Sequence, residues 1–290
     1  MELKSFSVFH PTYDSHHTYC IDEAFQREIL LHICKNRIKS IDAPLILSIQ
    51  GKKGEGKTTH VLKICNQLGV IVVFIHGSAI SGQHEKEPAD LIKAAYFEAS
   101  KWCKRGKTSL LLIDDIDTSV AATIDDRRYT VNSQIVNGTL MSIANNPTMI
   151  GEAETERIPI VFTGNDLTNL YPPLRRNGRM KIFSWEPDKT TKAKIVNFIF
   201  QEIIEQDDFE DFQNLILEIL NYLDKPISFF SELKSALFDD FILAIINKSG
   251  SVNFEQIDIE LSAITKSKMR FEDIRSKAVQ LANTSLKSYI

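Results

Sequence analysis

Apolar, largely β-branched runs recur along the front of the chain: LILSI at 45–49, VIVVFIH at 70–76, SLLLI at 109–113 and IPIVFT at 158–163. Each is bounded by polar or Gly-containing segments, and a continuous apolar run of this length predicts a strand buried on both faces. Helical periodicity fills the gaps, over 57–68, 88–103 and 131–144. Strands alternating with helices predict a parallel sheet flanked by helices. Before the first strand, residues 22–40 place Phe25, Ile29, Leu30, His32 and Ile33 at helical spacing, so a helix is expected there. After Trp185-Glu186-Pro187 the strand signal stops, and four helical patterns follow, beginning at KAKIVNFIFQEII and ending at FEDIRSKAVQLANTSLKSYI. The expected organisation is a leader and helix over 1–40, an α/β nucleotide-binding subdomain over 41–187, and an α-helical lid subdomain over 188–290.

The segment between the first apolar run and the helix behind it carries the first chemistry. Gly51-Lys52-Lys53-Gly54-Glu55-Gly56-Lys57-Thr58 fits the phosphate-binding pattern G-x-x-x-x-G-K-[ST] and is followed by Thr59 and the helical run. Gly51, Gly54 and Gly56 let successive backbone N–H groups, that of Glu55 included, turn inward onto phosphate oxygens at the positive end of a helix. Lys57 reaches the terminal phosphates, and Thr58 offers a hydroxyl to Mg²⁺. ATP and Mg²⁺ are the expected cofactors.

The third apolar run ends in Asp114-Asp115, the form of a Walker B element. One strand-tip carboxylate can hold the Mg²⁺ water shell, and its neighbour can orient or deprotonate an attacking water. The fourth run ends at Thr163-Gly164-Asn165-Asp166, which sets the Asn165 amide where it could position water. Shortly after, Leu174-Arg175-Arg176-Asn177-Gly178-Arg179-Met180 presents three guanidinium groups. A fixed fork of donors suits a developing phosphoryl charge, and such a finger is often supplied by a neighbouring subunit. A solvated basic turn is the plainer reading of the same residues.

Charge and cysteine usage narrow the field. A formal net charge of −4 argues against a dedicated nucleic-acid binder. No apolar run approaches the length of a membrane span, and the first twenty residues match neither a signal nor a transit pattern, so a bacterial cytoplasm is expected. Cys20, Cys34, Cys65 and Cys103 form no C-x-x-C pair and read as reduced thiols. His10, His16, His17 and Cys20 cluster without regular ligand spacing, so metal binding is not expected there.

In this order, phosphate loop, Walker B strand, strand-end Asn, paired Arg and helical lid resemble the AAA+ ATPases, and among them the rubisco activases. The matching stretches are long: LILSIQGKKGEGKT at 45–58, RRYTVNSQIVNGTLMSIANNPT at 127–148, IPIVFTGNDLTNLYPPLRRNGRM at 158–180, FSWEP at 183–187 and ISFFSELKSALFDD at 227–240. The resemblance implies an ATP-driven remodeller that assembles as a homo-oligomeric ring, normally a hexamer, and releases inhibitory sugar phosphates from rubisco. It also implies that Asp115 is the Walker B aspartate, Asn165 the sensor 1 residue, Arg176 and Arg179 the trans-acting arginines, and Tyr129 a pore-facing aromatic. Arg175 occupies an apolar position of the family.

Several positions depart from the family. Asp114 stands where activases usually have Asn, Lys234 replaces a sensor 2 arginine, and Ala236 replaces a second arginine nearby. Lysine keeps the charge but not the bidentate fork, which weakens any coupling between nucleotide and lid. Ser78 to His84 and Asp117 to Ala122 differ from the family's pore-facing stretches. Two alternatives therefore stand beside a rubisco client: the same engine acting on another protein, or an ATP-dependent oligomeric switch with little turnover.

Overall fold

The computed structural model describes residues 6–12, 19–80, 87–117, 127–249 and 268–287. They form two compact units, 1–186 and 187–290.

The first unit is built on a six-stranded sheet. Its strands are β1 (Ser7–Phe9), β2 (Ile46–Gln50), β3 (Ile71–His76), β4 (Ser109–Asp114), β7 (Ile160–Gly164) and β8 (Met180–Ser184), in spatial order β1-β3-β4-β7-β2-β8. Two-residue strands β5 (Met149–Ile150) and β6 (Ala153–Glu154) pair separately. The four expected apolar runs form the parallel centre, with Ile71 opposite Ser109, Leu111 opposite Ile160 and Ile46 opposite Ile160. Their residues are buried almost throughout, as the requirement for helices on both faces of a parallel sheet demands.

The two edge strands add what periodicity left out. β1 pairs antiparallel with β3, Ser7 opposite Phe74 and Phe9 opposite Val72, so the segment read as a leader completes the sheet. β8 pairs parallel with β2, but only Met180 of its five residues is buried. A half-exposed edge strand lacks the continuous apolar signature, which is why neither stood out.

Helices α1 (Glu23–Arg37), α2 (Lys57–Gln67), α3 (Gly77–Ile80), α4 (Glu87–Lys104) and α5 (Arg127–Asn145) connect the strands. Asp22 caps α1, its carboxylate accepting from the Phe25 N–H at 2.9 Å. The buried face of α1 is Phe25, Ile29, His32, Ile33 and Asn36, whereas Leu30 is 41% exposed, a correction to the face read from spacing. The sheet and α4 and α5 share one core that includes Tyr96, Leu111, Ile113, Leu140 and Phe162. The Tyr96 hydroxyl is satisfied inside it, donating to Pro147 O at 2.8 Å and accepting from the Ile158 N–H at 3.0 Å.

The second unit is helical: α6 (Lys189–Phe200), α7 (Phe209–Tyr222), α8 (Ile227–Ser249) and α9 (Phe271–Lys287). Asp188 caps α6 by accepting from the Thr191 N–H at 2.7 Å. Its core gathers Phe200, Phe212, Ile216, Phe230, Leu233 and Ile274. Among the described residues no helix is long and apolar enough to cross a membrane.

Candidate nucleotide site

The site lies where the parallel strands end. In open α/β sheets, ligands bind outside the carboxyl ends of the strands, and β2, β4 and β7 each deliver one functional segment there.

From β2 the chain turns through the glycine-rich loop into α2. Gly56, at φ +76°, takes the left-handed conformation that starts α2, and a Cβ there would press on His60 Nδ1 at 3.3 Å and the Tyr19 hydroxyl at 3.4 Å. Lys57 opens the helix and is 7% exposed. Its ammonium donates to Gly51 O at 2.7 Å, Lys52 O at 2.9 Å and Asn165 Oδ1 at 3.2 Å. Burial draws the Lys57 pKa below its usual value, opposed by the negative charges of Asp115, Asp117, Glu55 and Asp114. Glu55 is buried and its carbonyl accepts from Trp185 Nε1 at 2.7 Å, while Thr59 faces outward from α2.

β4 supplies the acidic end. Asp114 Oδ1 accepts from Thr58 Oγ1 and from Thr163 Oγ1, each at 2.5 Å, which ties together the phosphate loop, β4 and β7. The chain then reverses at Asp115, whose φ of +49° is a left-handed conformation uncommon outside glycine and found most often at functional turns. The Asp115 N–H donates to Thr163 Oγ1 at 3.1 Å. Burial, followed by repulsion from Asp114 and Asp117, raises the Asp115 carboxyl above the usual carboxylate range, against the pull of Lys57 and Lys53.

Sequence reasoning placed Lys57, Thr58, Asp114, Asp115 and Asn165 in one site, and these five side chains converge. It passed over two others. Thr163 is a buried hydroxyl bridging Asp114 and Asp115, and Asp117 accepts from the backbone N–H groups of Asn165 at 2.7 Å and Asp166 at 3.2 Å. Thr163 reads in sequence as one more β-branched strand residue, and Asp117 as the start of the Asp117 to Ala122 stretch set against the family's pore-facing loop, so neither was assigned to the nucleotide site.

The arginines divide. Arg176 is exposed, whereas Arg179 is half-buried and donates to Asn145 Oδ1 at 2.9 Å and Pro173 O at 2.7 Å within its own unit. Arg175 donates to Leu170 O at 3.0 Å. In the helical unit the Lys234 ammonium donates to Ile199 O at 2.6 Å; burial lowers its pKa, with Glu202 acting the other way. The Tyr129 side chain, the stretches 81–86 and 118–126, and His16 and His17 lie outside the described residues. Among the described residues no group of three or more His, Cys, Asp or Glu side chains is arranged as a metal cluster of its own.

The donors here are hydroxyl and carboxylate oxygens, the hard ligands Mg²⁺ takes when it also binds phosphate through one or two protein groups. Thr58 and Asp114, in direct contact, fit that requirement, with Asp115 beside them.

A glycine-rich phosphate loop, a strand-tip acidic pair and a strand-end asparagine on this sheet order, followed by a helical unit, are the architecture of the AAA+ class. The family model for the ATPase family associated with various cellular activities (AAA) matches residues 45–187, which form a domain of that family. Within it the chain is rubisco activase-like. It is 37% identical over 246 residues to ribulose bisphosphate carboxylase/oxygenase activase of Anabaena sp., covering 81% of this chain and 58% of that one. The chloroplastic activase of Zea mays is 33% identical over 81% of this chain and 55% of its own. That of Chlamydomonas reinhardtii is 36% identical over 80% of this chain and 58% of its own. The chain thus spans a little over half the length of these relatives. Among solved structures, the AAA domain of FIGL-1 aligns with a TM-score of 0.62 at 16% identity, over 93% of this chain and 84% of that one, a likeness of fold alone.

Proposed function

We propose that the protein hydrolyses ATP with Mg²⁺ and uses the cycle, as a homo-oligomer, to remodel rubisco and release inhibitory sugar phosphates. The observation that carries the catalytic half is the convergence of Lys57, Thr58, Asp114 and Asn165 on one another at the strand ends. The client is inferred from the activase relatives.

In this reading the loop N–H groups hold the β- and γ-phosphates, and Lys57 exchanges its bonds to the Gly51 and Lys52 carbonyls for phosphate oxygens. Thr58 and Asp114 hold Mg²⁺, which neutralises charge on the phosphates when bound. Asn165 orients the water that attacks the γ-phosphorus, and Asp115 accepts its proton as the bond to the bridging oxygen breaks, leaving ADP and inorganic phosphate. A carboxylate raised towards neutrality is better matched to taking that proton than an ordinary one. Arg176, whose side chain is exposed and makes no hydrogen bond among the described residues, is the candidate to reach a neighbour's phosphates, with Arg179 shaping the segment that presents it. A site completed across subunits gives assembly-dependent turnover.

A second reading, an ATP-dependent oligomeric switch with little turnover, is favoured by Lys234, whose ammonium is engaged by Ile199 O inside its own unit. One experiment separates the readings. Inhibited rubisco from the same organism is incubated with the protein and either ATP or a non-hydrolysable analogue. Recovery of carboxylation with ATP alone supports remodelling; ATP consumption without recovery moves the client elsewhere; assembly with either nucleotide and no phosphate release supports the switch.

A further inference from the structure

The chain leaving β4 does not drift away from the site. It stays fastened to the end of β7 by consecutive bonds: Asp115 N–H to Thr163 Oγ1 at 3.1 Å, Ile116 N–H to Thr163 O at 3.0 Å, and the Asp117 carboxylate receiving the N–H groups of Asn165 at 2.7 Å and Asp166 at 3.2 Å. The last pair is unusual for a strand end. A β-strand that ends at a ligand site leaves its terminal N–H groups without a ladder partner, and here one carboxylate oxygen, Oδ2, takes both.

The residue so held is Asn165, whose side-chain oxygen receives the Lys57 ammonium at 3.2 Å. Between strand and clamp sits Gly164, where a Cβ would stand 2.5 Å from Leu167 Cδ2 and 3.0 Å from Asp117 Oδ1, so the backbone and the carboxylate are packed with no room for a methyl group.

We infer that Asp117 is a positioning residue for ATP hydrolysis: its Oδ2 clamps the backbone of Asn165 and Asp166, and so sets the Asn165 amide against Lys57 and the attacking water. The part concerning hydrolysis rests on the function proposed above. The clamp itself is a statement about two backbone amides. Its operation depends on an acceptor oxygen, so asparagine, which keeps a carbonyl oxygen at that place, preserves it, and alanine does not. Among the described residues the nucleotide-binding loop makes no hydrogen bond to Asp117, which acts on Lys57 through its charge alone, so ADP affinity is expected to change by the same small factor in the alanine and asparagine variants, which both remove that charge.

The test compares Asp117→Ala, Asp117→Asn and Gly164→Ala with the unmodified protein. Amide hydrogen exchange over residues 163–168 is expected to speed at least tenfold in Asp117→Ala and to stay at the unmodified rate in Asp117→Asn. At saturating ATP, kcat is expected to fall about tenfold or more in Asp117→Ala, with the Kd for a fluorescent ADP analogue within about threefold and at least half the rate recovered in Asp117→Asn. Gly164→Ala, which pushes on the clamp from the strand side, is expected to share the alanine pattern. Unchanged exchange in Asp117→Ala overturns the clamp, as does an asparagine variant as fast-exchanging as alanine. Loss of ADP affinity in step with kcat overturns the positioning role. An unmodified protein that binds ADP but releases no phosphate refutes the hydrolytic reading alone, since the exchange comparison still decides the clamp.

Discussion

Replacing Trp185 by Phe should loosen the phosphate loop without touching any group that meets nucleotide. Trp185 lies just past β8 and is 4% exposed. Its N–H donates to Gln50 O at 2.7 Å, its carbonyl would stand 2.1 Å from a Cβ on Gly51, and its indole Nε1 donates to Glu55 O at 2.7 Å. The one residue therefore grips the loop at both ends, with its ring packed on Phe25 at 5.0 Å and His60 at 5.1 Å between centroids. Phe keeps an aromatic ring but removes the donor, stranding a buried carbonyl at about 1–3 kcal/mol. The smaller ring adds roughly 1 kcal/mol of lost packing. With a urea dependence of about 1–3 kcal/mol per molar, a loss near 3 kcal/mol moves the midpoint by about 1 M or more, followed by Trp102 fluorescence in α4. If about half that energy is spent holding the loop in its binding shape, ADP affinity falls roughly tenfold, since about 1.4 kcal/mol is a factor of ten. A lowered midpoint with unchanged ADP affinity would show that the indole serves the core and not the loop; no change in either would refute the hydrogen bond itself.

Other expectations follow from single side chains. The His32 ring is 7% exposed; burial pushes its pKa from 6.5 down to about 4 despite the 3.0 Å contact of Nε2 with Ile160 O. The unfolded chain then takes up this proton first, so stability is lost as pH falls from 6.5 towards 4, by about 3 kcal/mol, and His32→Gln should remove that part of the slope in urea unfolding at stepped pH. Arg176→Ala should cut steady-state hydrolysis by about 10³-fold while leaving ADP binding intact. Mixing it with Lys57→Ala subunits should restore partial turnover; no restoration would place the finger in cis or nowhere. Asp115→Asn should abolish phosphate release with retained nucleotide binding, and the unmodified rate should decline towards acid at a higher pH than an ordinary carboxylate base gives, because protonation of a raised carboxyl removes the base. A pH–rate profile without that acid limb would count against Asp115 as the base.

Legibility followed how locally each feature is encoded. The central strands announced themselves because a parallel strand covered on both faces is apolar nearly throughout, as in Ile71 to Ile75 and Leu110 to Ile113. The phosphate loop was legible for a related reason: cradling phosphate needs left-handed backbone at fixed intervals, and only glycine at 54 and 56, both at positive φ, supplies it at little steric cost. Ser7–Phe9 and Met180–Ser184 were hidden because edge strands share their burial with solvent. Leu30 was misplaced because a one-residue step on a helix is 100°, enough to carry an apolar residue from the buried face beside Ile29 to the surface.

The residues that escaped sequence reasoning within the site are those whose role exists only across strands. Thr163 and Asp117 act on groups 48 or 49 positions away in the chain, and no local pattern distinguishes them from a strand residue and a loop acid. Their effect is physical all the same. Asp114, Asp115 and Asp117 crowd three carboxylates around one ammonium, an arrangement that repels itself unless donors offset the charge. Thr58 and Thr163 both donate to Asp114 Oδ1, and the backbone N–H groups of Asn165 and Asp166 both donate to Asp117 Oδ2, so the strand end that needs partners is satisfied by one oxygen, while Asp117 Oδ1 stays buried without a hydrogen bond among the described residues. Asp115 combines a left-handed backbone with a carboxyl whose pKa is raised by burial and by its acidic neighbours, and a raised carboxyl suits the role of base proposed for it.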